Sequence, residues 1–141
     1  MEKFTQRIKL TAGSVLLALT FTGCVYFNTV YNAREAYEEG YDLFREEQRS
    51  GETYSSQSKE QFRRAVNKGK KILSEYSDSK YVDDAYLLVG KSYYYLEQYN
   101  FSRDFLEEMS SRYPESPFID EARLFLGRSY MEMDEFSSSR I

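Results

Sequence analysis

Cys24 is the residue with the widest chemical potential in this chain, because it is the only cysteine and the chain contains no histidine. A cysteine can act as a nucleophile, a metal ligand, a disulfide partner or a site of acylation. The absence of histidine excludes a Cys–His catalytic pair and any zinc site that one chain could build. Cys24 lies where an apolar run gives way to polar sequence. The segment that precedes it therefore decides which chemistry to expect.

Pairs of neighbouring carboxylates are the second group with catalytic potential: Glu38–Glu39, Glu46–Glu47, Asp83–Asp84, Glu107–Glu108 and Asp120–Glu121. General acid–base catalysis needs two carboxylates that converge on one cleft with pKa values held apart. These pairs fall on polar helix faces or in first helical turns, where solvation or the helix dipole accounts for them. The chain has a net charge of −4 and no long basic block, so nucleic acid is not an expected partner. We predict no enzyme, no cofactor and no metal site.

The first 24 residues have the pattern of an export signal. A positively charged start is followed by an uncharged, largely apolar run over 10–22, and small residues precede Cys24. The run is shorter than the ~20 residues that span a bilayer. The segment resembles the signal peptide of bacterial lipoproteins, in which the cysteine is acylated. The alternatives are an uncleaved transmembrane anchor and a buried structural cysteine.

The lipoprotein resemblance implies a location. It implies a signal peptide over 1–23, a lipid on Cys24 and a short tether over 24–29. Residue 25 is Val, whereas an Asp there would favour retention in the inner membrane by enteric sorting rules. We therefore expect a lipid anchor in the outer membrane, with the protein facing the periplasm.

The remaining sequence contains an internal repeat. Residues 76–104 align with residues 113–141 at an offset of 37 without gaps, and identities include Gly90 with Gly127 and Tyr93 with Tyr130. Apolar residues recur at spacings of three and four, which indicates helices. The prediction is an all-α fold, an α-solenoid of helix-turn-helix units with a period of about 37.

Each unit is predicted to contain two helices, within a repeat domain over 30–141. The units cover about 30–75, 79–112 and 116–141, and the last is incomplete. Ser79 and Ser116 are expected to cap the first helices of the second and third units, and a polar loop over 50–58 interrupts the first unit. The second helices are predicted over about 59–75 and 100–112. The third unit predicts a turn near 134–136 and a second helix that has barely begun at Ile141. We therefore expect this chain to be part of a longer array, and the alternative is a partner or second copy that covers the apolar face of 122–133.

The sequence resembles the tetratricopeptide repeat in the types and spacing of seven residues: Tyr86, Val89, Gly90, Tyr93, Ser102, Leu106 and Pro114. Gly90 and Ser102 lack bulk where two helices must approach closely. The chain also resembles the BamD-type lipoproteins of the outer-membrane β-barrel assembly machinery. The resemblance rests on the lipoprotein-like signal peptide together with "YPESP" at 113–117 and "ARLFLG" at 122–127. The repeats also resemble those of a periplasmic cell-division coordinator.

These resemblances imply a protein-interaction scaffold of the bacterial envelope. Outer-membrane protein assembly is the first expected process, and β-barrel assembly components or other envelope proteins and peptides are the expected partners. The alternatives are an adaptor for cell-wall, division or secretion machinery, and the non-catalytic part of a longer envelope enzyme.

In tetratricopeptide proteins the first helix of each unit lines a concave groove. By position, this implies a partner-binding surface in this chain made of Asp84, Leu87, Lys91, Tyr94, Tyr95, Glu121, Leu124, Arg128, Met131 and Glu132. Lys91 and Arg128 occupy equivalent positions, so together they could hold an acidic group or a peptide carboxylate. The alternative is a solvated groove in which both cations pair with neighbouring acids.

The lipid anchor predicts a specific effect of Cys24→Ser. The variant should lose incorporation of labelled fatty acid and should shift from the membrane fraction to the soluble fraction, because an oxygen nucleophile does not replace the thiol in acylation. Metabolic labelling and membrane fractionation measure both effects. Unchanged labelling and fractionation would reject lipidation at this position.

Overall fold

The structure, a computed structural model, describes residues 27–51 and 55–138, with side chains as far as residue 134. The predicted signal peptide, Cys24 and residues 25–26 lie outside these ranges, whereas residues 27–29, predicted as part of the tether, already belong to the first helix. Within them the chain forms five helices and no strand, which confirms the all-α class. The helices are α1 (27–50), α2 (Ser56–Glu75), α3 (Val82–Tyr95), α4 (Tyr99–Arg112) and α5 (Ile119–Ser138).

Consecutive helices pack against one another, and α3 also contacts α5. Helix α3 is the most enclosed, because α2 covers one of its sides and α4 and α5 cover others. Its buried residues include Ala85, Leu88 and Val89 toward α2, and Leu87 toward α5. The predicted second helices over 59–75 and 100–112 correspond to α2 and α4, so both were correctly located.

The turns before α3 and α5 have the same hydrogen bonds. Ser79 N donates to Tyr76 O at 3.0 Å, and Ser116 N donates to Tyr113 O at 3.0 Å. The predicted helix caps at these two serines are wrong, because the helices begin only at Val82 and Ile119. Each serine Oγ instead accepts from the backbone N–H two residues ahead, which closes the turn before the helix.

Helices α3 and α5 end differently. After α3, Glu97 adopts a φ of 61°, Glu97 N donates to Tyr94 O and Gln98 N donates to Tyr93 O. These bonds form a Schellman motif. Helix α5 continues to Ser138 through the corresponding positions, so the turn expected near 134–136 is absent. A non-glycine residue with positive φ costs about 1 kcal/mol or more, and of these two helices only α3 is followed in the described residues by another helix, α4, whose packing offsets that cost.

Close approach at glycine sets the helix spacing. A Cβ on Gly90 would lie 2.5 Å from Leu106 Cγ in α4, and a Cβ on Gly69 would lie 2.5 Å from Val89 Cγ2 in α3. The expectation that Gly90 lies at a tight helix crossing is therefore confirmed. Ser102, also expected there, is fully buried but accepts a hydrogen bond from Ser129 Oγ of α5 at 2.8 Å. Gly127, the counterpart of Gly90, would have no described atom within 4 Å of its Cβ.

The polar loop expected over 50–58 is shorter than predicted, because α1 extends to residue 50 and α2 begins at Ser56. Glu47, only 7% exposed, links the end of α1 to the start of α2. Its carboxylate accepts hydrogen bonds from Ser55 N at 3.2 Å, from Ser58 Oγ at 2.9 Å and from Ser55 Oγ. Burial acts to raise the pKa of Glu47, but the bonds from Ser55 and Ser58 outweigh it, so the pKa is lower than usual.

The glycine contacts predict opposite effects of one substitution at equivalent positions. Gly90→Ala should lower the free energy of unfolding by about 1–2 kcal/mol, since the methyl group collides with the buried Leu106. Gly127→Ala should raise it by about 0.5–1 kcal/mol, since alanine restricts the unfolded chain and meets no neighbour. Urea denaturation of the three proteins measures both. Equal effects at the two sites would contradict the packing.

Glu47 predicts a stability that depends on pH. Since the folded-state pKa lies below the unfolded value of about 4.5, the stabilisation is complete above pH 4.5 and is lost as pH falls through the folded pKa. Glu47→Gln should cost about 1–2 kcal/mol at pH 7, and the difference from the parent protein should shrink in acid. Urea midpoints between pH 7 and pH 3 measure this. A constant difference would show that the ionised carboxylate contributes nothing specific.

Candidate functional site

A cavity of about 170 Å³ lies between α1, α3 and the start of α5. Four of the residues predicted for the partner surface lie at it: Asp84, Leu87, Lys91 and Glu121. Its remaining lining comes mainly from α1, with Leu88 of α3 and Phe118 before α5: Arg34, Tyr37, Glu38, Leu88 and Phe118. The structure thus brings together the predicted residues nearest the starts of α3 and α5.

Two ion pairs at this cavity connect α1 to α3 and α3 to α5. Arg34 of α1 donates to Asp84 Oδ2 of α3, with Nη2 at 2.6 Å and Nε at 2.8 Å. Lys91 of α3 donates to Glu121 Oε1 of α5 at 2.6 Å. The Lys91 side chain is only 15% exposed, so solvent screens this pair less than a surface pair. The two pairs orient three helices around one opening.

Lys91 is further enclosed by aromatic rings. Its Nζ lies 4.4 Å from the ring centroid of Tyr37 and 5.4 Å from that of Phe125, within the range of cation–π attraction. Burial, and then the neighbouring Tyr95, Glu121 and Glu38, raise the pKa of Tyr37 far above its usual value. The phenol is therefore neutral at physiological pH. The sequence left open a groove in which the cations pair with neighbouring acids. Lys91 is in that state, because it forms an ion pair with Glu121.

Arg128, the second predicted base, also lies against Phe125. Its Cζ is 5.1 Å from the Phe125 ring centroid, so Phe125 lies within cation–π distance of both cations. Arg128 is exposed, unlike Lys91. The two bases therefore differ in environment although they occupy equivalent positions in the sequence.

Tyr95 forms the centre of an aromatic cluster. Its ring stacks on Phe62 of α2, with centroids 4.9 Å apart and an interplanar angle of 11°. It also contacts Phe44 of α1 at 5.2 Å and Phe125 of α5 at 5.9 Å. Burial, and then Tyr41, raise the pKa of Tyr95 to about 12. Tyr95, predicted as a partner contact, is partly buried and connects α3 to rings of α1, α2 and α5.

Tyr94 and Glu132 form a separate polar contact between α3 and α5. Tyr94 Oη donates to Glu132 Oε1 at 3.4 Å, and Tyr94 packs edge-on to Phe125 with centroids 5.4 Å apart. Burial and the charge of Glu132 raise the pKa of Tyr94, and the same effects raise the pKa of Tyr99 to about 12. Because the phenols of Tyr94 and Tyr99 are neutral, they can act as hydrogen-bond donors, and their rings add apolar surface beside Phe125.

Three of the predicted residues lie on the open surface of α5. Leu124 and Met131 are 52% and 66% exposed, and Arg128 lies between them in the sequence. Leu87, by contrast, is buried against α5, although one side of it reaches the cavity. The predicted residues therefore fall into three places: the cavity between α1, α3 and α5, the aromatic cluster around Tyr95, and the exposed surface of α5.

The prediction omitted the contribution of α1. Arg34 and Tyr37 are central to the cavity, but only the second and third units were used to list groove residues. Applying the same positional rule to the helix predicted at the start of unit one would have drawn attention to them. Their exact partners follow from tertiary packing.

The described residues contain no group of three or more carboxylates, cysteines or histidines arranged to hold a metal ion. No helix in the described part of the chain is both long enough and apolar enough to cross a bilayer. Comparison with protein-family models, curated proteins and solved structures found no match to this chain.

Proposed function

We propose that this protein is a membrane-anchored scaffold for protein–protein interaction in the bacterial envelope, acting in outer-membrane protein assembly. It uses no catalytic group of its own. The observation that carries the proposal is the cavity where α1, α3 and α5 meet, because three first helices around one opening form a binding surface. Its lining combines aromatic rings, an aliphatic residue and both charge signs, which suits an extended peptide or a protein loop.

We further propose that the helices are successive units of a tetratricopeptide-like solenoid with a period of 37. Equivalent hydrogen bonds at this offset support the proposal. Ser92 Oγ donates to Leu88 O at 2.7 Å, and Ser129 Oγ donates to Phe125 O at 2.8 Å. The turns before α3 and α5 are also equivalent in their hydrogen bonds. Stacked units create extended concave surfaces, which is the usual role of such arrays.

The membrane location rests on the lipoprotein-like segment that ends at Cys24. Helix α1 is already formed at residue 27, so only a few residues separate the acylated cysteine from the folded part. A tether this short holds the binding surface close to the membrane. This geometry suits a scaffold that handles proteins during their insertion.

Site-specific crosslinking in cells tests the scaffold function. A photoreactive amino acid at Glu38, which is exposed and lines the cavity, should crosslink to a β-barrel assembly component that mass spectrometry identifies. The matched control is the same probe at Asn67, an exposed residue of α2 outside the cavity lining. The cavity probe should give the product, and the α2 probe should not.

The identity of the crosslinked protein separates the candidate processes. Partners from cell-wall synthesis, division or secretion machinery would support the adaptor function in place of outer-membrane assembly. Identical products from Glu38 and Asn67, or none from either, would reject the cavity as the binding surface.

A further inference from the structure

The cations at the cavity have partners in the folded chain, whereas one of its carboxylates does not. Arg34 donates twice to Asp84 Oδ2, and Lys91 donates to Glu121 Oε1. Glu38 is exposed at the same cavity and forms no ion pair within the described residues. With three carboxylates and two cations in its lining, the cavity has a net negative charge.

A line of carboxylates continues from Glu38 along the exposed side of α1. It borders a shallow groove that shares Glu38 with the cavity and also contains Leu43. We call this set the acidic line, and it consists of Glu35, Glu38, Glu39, Asp42 and Glu46. Of the ion pairs in the described part of the chain, only one involves the line, from Arg45 to Asp42 at 4.0 Å. Like charges three and four residues apart on a helix repel one another, so this surface attracts cations.

The buried part of the cavity lining is apolar. Tyr37, Leu87 and Leu88 are buried there, and Phe118 is half-buried. The cavity has a volume of about 170 Å³, and an apolar cavity of about 150 Å³ binds benzene. It therefore has room for one large apolar side chain of a partner, such as that of phenylalanine, whose burial stabilises the complex.

The acidic line matches the spacing of alternate residues in an extended peptide. Glu38, Asp42 and Glu46 follow one another at four-residue intervals, which a helix places about 6 Å apart along its axis. In an extended chain, alternate side chains point to the same face and lie about 6.6 Å apart. Three basic side chains at alternate positions of a bound peptide can therefore each reach one carboxylate.

We propose that the cavity and the acidic line bind an extended basic segment of a partner protein. One large apolar side chain of the segment lies in the cavity, and lysine or arginine residues at alternate positions lie along α1. The charge of this partner is opposite to that of the acidic group expected at Lys91 and Arg128, because the fold pairs Lys91 with Glu121 and leaves the acidic line open. The proposal rests on the scaffold function above and defines the partner that its surface accepts.

Binding of synthetic peptides tests this proposal. The probe is the fluorescent peptide GFSKSKSKG, in which one phenylalanine precedes three alternating lysines, and the reversed sequence is tested beside it. Fluorescence anisotropy at low ionic strength measures binding to the full-length chain in a mild detergent. The tighter binder of the two should lose at least ~10-fold in affinity when serine replaces phenylalanine. The same peptide with glutamate in place of lysine should not bind.

Removal of the acidic line should weaken binding of the tighter peptide. A triple variant with Glu38→Gln, Asp42→Asn and Glu46→Gln should bind it roughly 10-fold more weakly, and added salt should reduce the difference. All three residues are exposed, and the loss of like charges should not destabilise α1. Urea denaturation of the variant checks that the fold is retained.

The matched control changes the net charge equally at another place. It carries Asp78→Asn, Asp104→Asn and Glu115→Gln, at exposed residues outside the cavity and the groove, and it should bind as the parent protein does. Equal weakening in both triple variants, binding that loss of the acidic line leaves unchanged, or tighter binding of the glutamate peptide would each reject the proposal.

A second copy of the chain is the competing occupant, because α2 exposes several basic residues: Arg63, Arg64, Lys70 and Lys71. If analytical ultracentrifugation shows a dimer that the acidic-line variant abolishes, a second copy covers this surface and the partner proposal is wrong. The scaffold function can fail separately. A crosslink from Glu38 in cells without a preference for basic peptides would reject only the basic partner, whereas the expected peptide preference without a crosslink would reject only the scaffold function.

Discussion

The close approach of neighbouring helices at glycine is the contact on which the rest of this structure depends. Gly90 brings α3 so close to α4 that Leu106 occupies the place of a side chain, and Gly69 does the same for Val89 between α2 and α3. Protein interiors have little free volume, so a single missing Cβ determines how near two helices can lie. This spacing allows Ser102 of α4 and Ser129 of α5 to form a buried hydrogen bond.

The cavity between α1, α3 and the start of α5 is more strongly organised than a solvated groove. Arg34 with Asp84 and Lys91 with Glu121 connect α1 to α3 and α3 to α5, and aromatic rings enclose Lys91. Charges paired in this way are held in place before a partner arrives, which lowers the entropy that binding must overcome. Lys91, already paired with Glu121, is therefore less available to a carboxylate of a partner than the sequence suggested. We therefore expect recognition at the cavity to depend on shape and aromatic contact as well as on charge.

The exposed surfaces of α1 and α5 differ in chemistry. Carboxylates lie along much of the exposed surface of α1, at Glu35, Glu38, Glu39, Asp42 and Glu46, and Phe27 and Tyr31 are exposed near its start. Helix α5 exposes Leu124, Tyr130 and Met131 around Gly127.

The sequence by itself determined the helical class, the approximate bounds of α2 and α4, the tight crossing at Gly90 and the placement of Asp84, Lys91 and Glu121 around one opening. The helical class and the helix bounds follow from local periodicity and the internal repeat, whereas the crossing at Gly90 and the grouping of Asp84, Lys91 and Glu121 were implied by the tetratricopeptide resemblance. Tertiary structure alone decided that α1 supplies Arg34 and Tyr37 to the cavity, that the partly buried Tyr95 packs against rings of α1, α2 and α5, and that Glu47 links the end of α1 to the start of α2. It also decided that α5 continues past the positions where α3 ends. Each of these depends on which helix covers which face, and that choice depends on contacts between residues far apart in the chain.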